Sequence, residues 1–225
     1  MSEIDALMSE TLAILHKPKV TVHQISYEDT KPFLMNIHYA RRMPQVQYAF
    51  GLYVDDRLVG CVTYGQPATP SISKGIATED YRKRVLELNR LCLLPEYNGH
   101  NLASRLVGRS LRLLPKDYYI VSYSDTGWGH VGYIYQATNW VYTGVTKPRT
   151  DMANANGGHA RHYVLGEKRR VYRSAKHRYI YMTGNKKEQL KLLRWKIYPY
   201  PKGDSRKYDV EDPHPAIREL EKTNE

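Results

Sequence analysis

Apolar and polar residues along the middle of the chain follow periods that switch between those of strands and helices. Residues 85–94, VLELNRLCLL, form an apolar run typical of a buried strand, and residues 102–114 place leucines at helical spacing. Residues 116–125 predict a second strand, residues 129–139 a short helix and residues 140–146 a third strand. Strand, helix, strand, helix, strand in this order indicates an α/β fold whose sheet is at least partly parallel.

The segments before this block predict a strand and a helix. Residues 19–27 alternate between polar and apolar positions as a strand does. We expect the helix to begin near Pro32, with Asp29 or Thr30 as its cap, and to end before Pro44. Proline suits the first position of a helix and breaks its interior, which sets both limits.

Turn residues divide the rest of the chain. Residues 48–65 predict a hairpin that turns at 55–56, and the Pro-, Ser- and Gly-rich residues 66–80 predict a loop. After Asp151 the sequence MANANGGHA predicts a mobile loop. Residues 161–184 predict two strands separated by a basic turn, which we expect to form a basic hairpin.

These elements indicate a single domain over residues 19–200. Residues 1–18 are predicted to be an N-terminal arm or short helix, and residues 201–225 a charged tail. Hydrophobic residues make up 41% of the chain, which is enough for a core and is not the composition of a disordered protein.

The charge of the chain points to an anionic partner. Thirty-four Lys and Arg against 23 Asp and Glu leave a formal net charge of +11. Nucleic acid is the first inference and an anionic cofactor the second, while a merely basic, soluble surface is the alternative. Twenty tyrosines add faces on which unstacked bases can stack, although tyrosines in half-buried strands would give the same number.

The lack of a membrane-span or signal pattern, together with the two cysteines, indicates a soluble, cytoplasmic protein. No apolar run approaches the roughly 20 residues of a membrane span, and the N-terminus lacks a basic-then-apolar signal. Cys61 and Cys92 each lie in a strand-like apolar run. Two such thiols fit a reducing compartment better than a disulfide framework.

The turn between the strand at 85–94 and the following helix is the first candidate for ligand chemistry. A strand that opens through a glycine-containing turn into a helix directs backbone N–H groups at a pyrophosphate. The turn resembles the coenzyme A-binding motif of the GNAT acyltransferase superfamily, with agreement at Pro-Glu-Tyr (95–97), Gly99 and Ala103. Asn98 replaces the usual Arg or Gln, and Asn101 replaces a glycine.

Asparagine at position 101 is compatible with this motif, because it tolerates left-handed backbone and caps helices. An ordinary strand, turn and capped helix is the alternative for the same residues. The resemblance implies acetyl-CoA or a related acyl-CoA as cofactor. The residues implied in binding it are Leu93, Leu94, Asn98, Gly99, His100, Asn101, Leu102, Ala103, Ser104 and Asn139.

A second segment also resembles this superfamily. GYIYQATNWVYTG is similar to the GNAT helix Ala-x-x-Leu-Tyr-x-x-x-Gly-Phe, and it places Tyr135 on the tyrosine, Asn139 on the glycine and Trp140 on the phenylalanine. In the superfamily that tyrosine often protonates the departing thiolate, although packing on a helix face is the alternative. Together the motifs imply a GNAT-like acyl-CoA N-acyltransferase fold, a mixed central sheet with helices on both faces, and here a basic C-terminal extension.

Longer stretches between about residues 33 and 200 resemble the Mom DNA-modification proteins of bacteriophages, a divergent GNAT branch. The resemblance implies addition of a carbamoylmethyl group to the exocyclic amine of adenine, which protects the DNA from host restriction. It also implies double-stranded DNA with a flipped adenine as partner. The matching pieces are HYARRMP (38–44), FGLYVDDRLVGCVTYGQP (50–67), ELNRL (87–91), NLASRLVG (101–108), SYSDTGWGHVGYIYQATNWVYTG (122–144) and RYIYMTG…LKLLRWKIYPYPK.

This chemistry needs a proton acceptor, because the exocyclic nitrogen of adenine shares its lone pair with the ring and is a poor nucleophile. Asp125 is the first candidate, since it ends a strand at the carboxyl edge of the sheet; a cap before Gly127 is the alternative. Ser122 and Ser124 are expected to orient the base or the cofactor. His130 opens the later helix and is either a catalytic base or a neutral cap.

Other candidates lie nearer the N-terminus. Glu87 and Arg90 share a predicted strand, and their odd spacing predicts opposite faces. They are expected to line the acceptor cleft or to form a structural ion pair. Tyr39 and Arg41 lie where GNAT proteins shape the acceptor site, while Arg41 and Arg42 are alternatively solvated charges at a helix end.

Basic residues interleaved with tyrosines near the end of the domain are the candidate DNA contact, although charged turns are often only solvated. Together with Arg41 and Arg42, the candidates are Lys168, Arg169, Arg170, Tyr172, Arg173, Lys176 and Arg178.

The expected product raises the question of a further cofactor, because ordinary GNAT chemistry gives an N-acetyl product rather than one joined through the methyl carbon. A metal stays open as that cofactor. Asp151, His159 and His162 lie near the predicted loop without a diagnostic spacing. Two other functions fit the same residues: a GNAT acetyltransferase for a protein or small-molecule amine, and a non-catalytic DNA-binding protein on this scaffold.

Overall fold

The computed structural model describes residues 18–99, 101–154 and 168–203. Its strands are β1 (Val20–Gln24), β2 (Tyr48–Val54), β3 (Arg57–Gly65), β4 (Val85–Leu93), β5 (Tyr119–Asp125), β6 (Val141–Val145), β7 (Arg149–Asn154), β8 (Lys168–Arg173) and β9 (Lys176–Met182). Seven of them form the main sheet in the order β1-β2-β3-β4-β5-β9-β6, and β7 pairs with β8 in a second sheet. All neighbours in the main sheet are antiparallel except β4 and β5.

Five α-helices connect these strands in the described residues. They are α1 (Tyr27–Pro32), which continues into a π-helical turn (Phe33–Ile37), α2 (Pro70–Ile76), α3 (Leu102–Leu113), α4 (Tyr133–Ala137) and α5 (Lys186–Leu192). None of the helices in this part of the chain is long and apolar enough to cross a membrane.

Helices cover both faces of the main sheet, which confirms the predicted mixed sheet. On one side, Leu106 and Leu111 of α3 join the core with Leu86 of β4 and Tyr179 of β9. We call this side the α3 face. On the other side, Ile76 at the end of α2 packs in a separate cluster with residues such as Val85, Val121 and Ile180. We call that side the α2 face.

The first helix begins and ends earlier than predicted. Its cap is Ser26, whose side chain accepts from the backbone N–H of Asp29, while the Asp29 carboxylate accepts from the backbone N–H of Ser26. This reciprocal capping box fixes the start one turn before Pro32. The helix ends at Ile37 through the π-helical turn. The predicted loop at 66–80 likewise contains α2.

The predicted basic hairpin at 161–184 is not formed in the described residues. β8 pairs with β7, whereas β9 inserts between β5 and β6. The physical reason is burial. Tyr179 of β9 is buried in the cluster on the α3 face, and Ile180 and Met182 are buried in the cluster on the α2 face. β8 contributes Val171 as its buried apolar residue in the described part. The arm at 1–17, the loop at 155–167 and the tail from 204 lie outside the described residues.

A β-bulge in β4 changes which side chains share a face. Thr63 pairs with Arg90 and Gly65 with Glu87, and the register shifts next to Thr63, which leaves Asn89 as the extra residue on β4. Because Thr63 and Gly65 are two positions apart on β3, they share one face, and so do their partners. The prediction that Glu87 and Arg90 point to opposite faces is therefore wrong. Both point to the α2 face.

β4 and β5 pair only over their first residues, Val85–Glu87 with Tyr119–Val121. Past this point the ladder stops, and the Ser122 hydroxyl donates to the carbonyl of Leu88 at 2.9 Å. We call the opening between the second halves of these two strands the β4–β5 gap.

Candidate active site

The turn that leads from β4 into α3 has the backbone that an anion-binding turn requires. Gly99 has a φ of +118°, and a Cβ placed on it would meet nothing within 4 Å. Asn101 adopts left-handed backbone with a φ of +57° immediately before α3. Asparagine replaces glycine there because its short polar side chain tolerates this region. Asn98 is exposed, and His100 lies outside the described residues.

A positively charged groove runs along α3. It has a volume of about 390 Å³ and is lined by α3 and the end of α4, including Ser104 and Asn139. Three arginines of α3 line it: Arg105, Arg109 and Arg112. All three of these arginines are exposed, so their positive charges face the groove and the solvent.

Tyr135 of α4 lies at the gap from the α3 face. Its phenolic oxygen is 2.8 Å from the Ser122 hydroxyl oxygen, which is itself bonded to the carbonyl of Leu88. Since the single hydroxyl hydrogen of Ser122 serves the carbonyl, the phenol must donate to Ser122. Burial raises the pKa of Tyr135 to about 12, with smaller contributions from the nearby Tyr39 and Glu87.

Glu87 lies on the α2 side of the same gap. Its carboxylate accepts from the backbone N–H of Ala68 at 3.1 Å. Burial raises the pKa of Glu87, against the opposing effects of that hydrogen bond and of the positive charges of Arg90 and Lys176. A carboxylate whose pKa is raised in this way is suited to accept a proton.

Arg90 lies next to Glu87 on the α2 face. One guanidinium nitrogen donates to the carbonyl of Asn89 at 2.6 Å. Its Nε is buried and has no hydrogen-bond partner. Buried donors in proteins are nearly always hydrogen-bonded, so this nitrogen marks a position that a water or a ligand can fill.

His38 and Tyr39 lie near Arg90, and Trp128 lies beside Tyr39. His38 and Tyr39 stack with ring centroids 4.3 Å apart, and Tyr39 and Trp128 lie 6.3 Å apart at 53°. Burial, assisted by the charges of Arg90 and Arg42, lowers the pKa of His38 to about 3, so the ring is neutral. His38 Nδ1 accepts from the backbone N–H of Ala40 at 3.0 Å, which leaves the hydrogen on Nε2.

Sequence reasoning did not select His38 or Trp128. Their contacts depend on the π-helical turn and on the turn after β5, neither of which a hydrophobic period reveals. The available signal was their position: His38 precedes Tyr39, and Trp128 follows Asp125 closely, within the stretches that match the Mom proteins.

The Asp125 side chain contacts β9, the loop that precedes β9 and the turn that follows β5. Its carboxylate accepts from the backbone N–H of Gly127 at 2.9 Å and from the Ser174 hydroxyl, and it lies 3.4 Å from Lys176 Nζ. It also caps the turn at Thr126–Trp128. These three partners hold the carboxylate in place.

Ser124 and His130 meet behind Asp125. The Ser124 hydroxyl donates to the backbone carbonyl of His130 at 2.9 Å, and Ser124 is buried on the opposite face of β5 from Asp125. Ser124 therefore holds the loop between β5 and α4.

The basic candidates for DNA contact divide by their surroundings. Arg41, Arg42 and Arg170 are exposed. Arg178, in contrast, is fixed inside the fold, because it donates to the hydroxyl of Thr143 at 2.9 Å and stacks on Trp195 at 3.6 Å.

The remaining basic candidates are less open to solvent. Arg173 is half-buried, with an Nε that has no hydrogen-bond partner. Lys176 pairs with Asp125, and Tyr172 is half-buried. The side chains of Lys168 and Arg169 lie outside the described structure.

Among the described residues, no group of three or more His, Cys, Asp or Glu side chains is arranged to hold a metal ion. His159 and His162 lie outside those residues, and Asp151 of β7 lies 3.8 Å from Arg149.

Comparison with known proteins agrees with the sequence motifs. The model of the Mom protein family matches residues 19–202. A relative, the methylcarbamoylase Mom of Escherichia phage Mu, is 25% identical over 204 residues, which cover 82% of this chain and 84% of that protein.

Solved acetyltransferase structures show lower similarity. An IAA acetyltransferase from Bacillus cereus has 9% identity and a TM-score of 0.44, covering 72% of this chain and 98% of that one. YncA, a putative acetyltransferase from Salmonella typhimurium solved with acetyl-CoA, has 10% identity and a TM-score of 0.45, covering 73% and 94%. At these TM-scores the likenesses carry no conclusion about the chemistry of this chain.

Proposed function

The chain belongs to the Mom protein family, and on that premise we propose that it modifies the exocyclic amine of adenine in double-stranded DNA. The observation that carries this proposal is the β4–β5 gap. It has the Tyr135 phenol on one side and the Glu87 carboxylate on the other, and the two are close enough to affect each other electrostatically. Two proton-transfer groups therefore flank one opening.

The proposed donor is an acyl-CoA, and the residues present fit such a molecule. The open, positive-φ Gly99 and the start of the 12-residue helix α3 suit a diphosphate. The groove along α3 adds Arg105, Arg109 and Arg112 for further phosphate charge. When bound, the acyl-CoA supplies an activated two-carbon group.

Glu87 is proposed as the general base. It would take the proton that the amino nitrogen of adenine loses as this nitrogen replaces the coenzyme A sulfur on the donated group, so that one carbon–nitrogen bond forms and one carbon–sulfur bond breaks. Burial raises the pKa of this carboxyl group, which brings its basicity closer to what a neutral solution requires. Across the gap, the Tyr135 phenol is hydrogen-bonded to Ser122, and it would give its proton to the departing coenzyme A sulfur.

The charge of the chain supports DNA as the acceptor. A net charge of +11 attracts a polyanion, and exposed arginines lie near the cleft on the loop after the π-helical turn, at Arg41 and Arg42. Modification of the DNA of a phage would protect it from host restriction, as the family resemblance implies.

The test is the mass of nucleosides from plasmid DNA of bacteria that express the protein. We expect a new adenine nucleoside with the wild-type chain, none with Glu87→Gln, and an undiminished amount with the control Glu188→Gln on α5. Unmodified DNA with acetyl transfer to amines would instead indicate an ordinary acetyltransferase. Salt-sensitive DNA binding without any turnover would indicate a non-catalytic DNA-binding protein.

A further inference from the structure

We propose that strands β7 and β8 form a ribbon that enters the major groove of duplex DNA, with its solvent-exposed face directed at the edges of the bases. This inference rests on the proposed function, because it names the surface that holds the duplex while an adenine is modified. The second sheet thereby has a role in binding the DNA and none in the chemical step.

The ribbon follows directly from two paired strands of the main sheet. β6 and β9 are antiparallel neighbours there. Just past β6, the backbone N–H of Thr146 donates to the carbonyl of Lys176 at 2.9 Å, and the ladder of β7 and β8 begins with Arg149 opposite Arg173. In the described part of the chain, β7 and β8 pair with each other and with no strand of the main sheet. The same two chain segments therefore leave the main sheet together as a separate two-stranded ribbon.

The base of this ribbon lies beside the candidate active site. Ser174, which follows β8, donates its hydroxyl to the Asp125 carboxylate. The backbone N–H and the hydroxyl of Thr126 donate to the carbonyl of Ala175 at 3.1 and 2.7 Å. Asp125 is the last residue of β5, at the end of the strand where β4 and β5 are no longer paired. DNA on the ribbon therefore lies next to the end of the sheet at which the β4–β5 gap opens.

The ladder sorts the side chains of the ribbon onto two faces. It runs without a register shift, so Thr150 and Met152 share one face with their partners Tyr172 and Arg170. We call this the outer face. Thr150 and Arg170 are exposed on it, and Met152 is 40% exposed. Val171, on the opposite face, is buried. The outer face is therefore the one that is open to a partner.

The side chains of the outer face suit a DNA groove. Arg170 supplies a positive charge for a phosphate. The Thr150 hydroxyl can donate to or accept from base edges, and the Thr150 methyl and the Met152 side chain can contact a thymine methyl. The four described side chains of this face include one cation and no carboxylate. In a chain with a net charge of +11, a polyanion is the partner that such a surface fits.

The size of a two-stranded ribbon selects the major groove. Its strands lie about 4.8 Å apart, and the six residues of each strand extend about 20 Å. The major groove, about 12 Å wide, admits a two-stranded ribbon with its side chains, whereas the minor groove is only about 6 Å wide. The amino group of adenine also lies in the major groove. A ribbon in this groove thus places the domain on the side of the duplex that carries the amino group.

The test measures binding of the full chain to short duplexes of mixed sequence in which one groove at a time is blocked. Glucosylated 5-hydroxymethylcytosine in place of cytosine fills the major groove, and netropsin occupies the minor groove. The unmodified duplex and its single strand are the references. The variants are Thr150→Glu and Arg170→Ala. The control is Gln24→Glu, which adds the same charge as Thr150→Glu at an exposed position of β1, the opposite edge strand of the main sheet. Thermal unfolding checks the folding of each variant.

We expect glucosylation to weaken wild-type binding about 10-fold or more, and netropsin to change it by less than about threefold. Thr150→Glu should bind the unmodified duplex about 10-fold more weakly, because its carboxylate faces the DNA, and it should no longer distinguish the glucosylated duplex. Arg170→Ala should weaken binding to every duplex by a similar factor, since phosphate contacts carry no sequence information. Gln24→Glu should stay within about threefold of wild type.

Three results would overturn the proposal: equal effects of the two groove blocks, a loss for Thr150→Glu no larger than that for Gln24→Glu, or tighter binding of the single strand than of the duplex. If Thr150→Glu fails to fold, the effects of the two groove blocks on the wild-type chain decide the question.

The mass of nucleosides from plasmid DNA separates this inference from the proposed function. A new adenine nucleoside in cells with the wild-type chain, together with binding that ignores the major-groove block, refutes the ribbon alone. Unmodified DNA together with the expected groove preference refutes the proposed chemistry and supports the ribbon.

Discussion

Glu87 and Arg90 face the same side of the central sheet, although three positions separate them, because Asn89 is bulged out of the ladder between them. Hydrogen bonds to both polar atoms of the Asn89 side-chain amide stabilise the bulge. Its oxygen accepts from the Thr63 hydroxyl at 2.6 Å and its nitrogen donates to the carbonyl of Gln45 at 2.9 Å. The half-buried Glu87 carboxylate and Arg90 guanidinium thereby share one face of the sheet.

Replacing Glu87 by Gln is expected to abolish adenine modification without loss of stability. Burial raises the pKa of the carboxyl group, so above that pKa the ionised form is less stable in the folded chain than in the unfolded one. A neutral amide of the same shape removes this penalty. Thermal unfolding at pH 7 should give a midpoint equal to or above that of wild type, and a lower midpoint would show that the carboxylate is structural.

The pH dependence of the wild-type rate follows from the same group. The base works when ionised, so the rate should fall as the pH drops through the raised pKa of Glu87. We expect the acidic limb of kcat/KM to lie above the ordinary glutamate range. A limb at or below the ordinary value would assign the base to another residue.

Replacing His38 by Asn is expected to flatten the dependence of stability on pH in acid. The folded pKa of His38 is about 3 and the unfolded value is about 6.5, so unfolding takes up a proton between these values and stability is lost as the pH falls. At pH 4.5 the loss amounts to about 2.5 kcal/mol relative to pH 7. Denaturant unfolding of both proteins from pH 7 to 4.5 measures it, and parallel curves would contradict the neutral state of His38.

Substitutions in the turn before α3 should show whether coenzyme A binding depends on the backbone conformation of the turn or on its side chains. Gly99→Ala places a Cβ at a φ of +118°, which costs about 1–3 kcal/mol of strain or changes the turn, so coenzyme A should bind more weakly. Asn101→Gly relaxes a left-handed residue and should preserve binding and stability. Calorimetric titration with coenzyme A checks both, and unchanged binding by Gly99→Ala would remove this turn from the phosphate site.

Replacing Asp125 by Asn should weaken the fold more than the chemistry. The carboxylate is engaged by Gly127, Ser174 and Lys176, and losing such charged, part-buried bonds costs about 1–3 kcal/mol. Ser174→Ala, which removes one of these partners, should cost less. If Asp125→Asn abolished modification at unchanged unfolding temperature, Asp125 would replace Glu87 as the base.

Two arginines on consecutive strands, which belong to different sheets, should behave differently when replaced by alanine. Arg170 is exposed on β8, so its loss should weaken DNA binding and reduce the slope of log affinity against log salt by about one. Arg178 is bonded to Thr143 and stacked on Trp195, so its loss should lower the unfolding temperature. Reversed outcomes would show that Arg178 contacts phosphate.

The parts of the fold that the sequence predicts are those with strong local signals. The hairpin at 48–65 turns at Asp55 and Asp56, which have φ values of 48° and 63° as a tight hairpin turn requires. The apolar run of β4 was equally clear. α2 was missed because its seven residues bring few apolar side chains to the core, and the start of α1 was misplaced because the capping box at Ser26 was overlooked.

The residues of the candidate site likewise fall into those that local motifs predict and those that depend on distant contacts. The turn at Gly99 and the position of Tyr135 follow from local motifs. The relation of Glu87 to Arg90 depends on a bulge that is set by a neighbouring strand, and the hydroxyl that binds Asp125 belongs to Ser174, which is 49 residues away. Contacts at such separations are fixed by tertiary packing, which no local pattern encodes.

The position of β9 has a consequence for how the protein is made. β6 ends at Val145 and β9 begins at Lys176, yet β9 lies between β5 and β6 in the sheet. When only the residues up to β7 have left the ribosome, β9 has not yet been made. The edge of β5 is then unpaired, and β6 lacks the strand with which it pairs in the sheet. Bare edges invite pairing with other chains, so the half of the sheet that carries Asp125 and Tyr142 can close only late in translation.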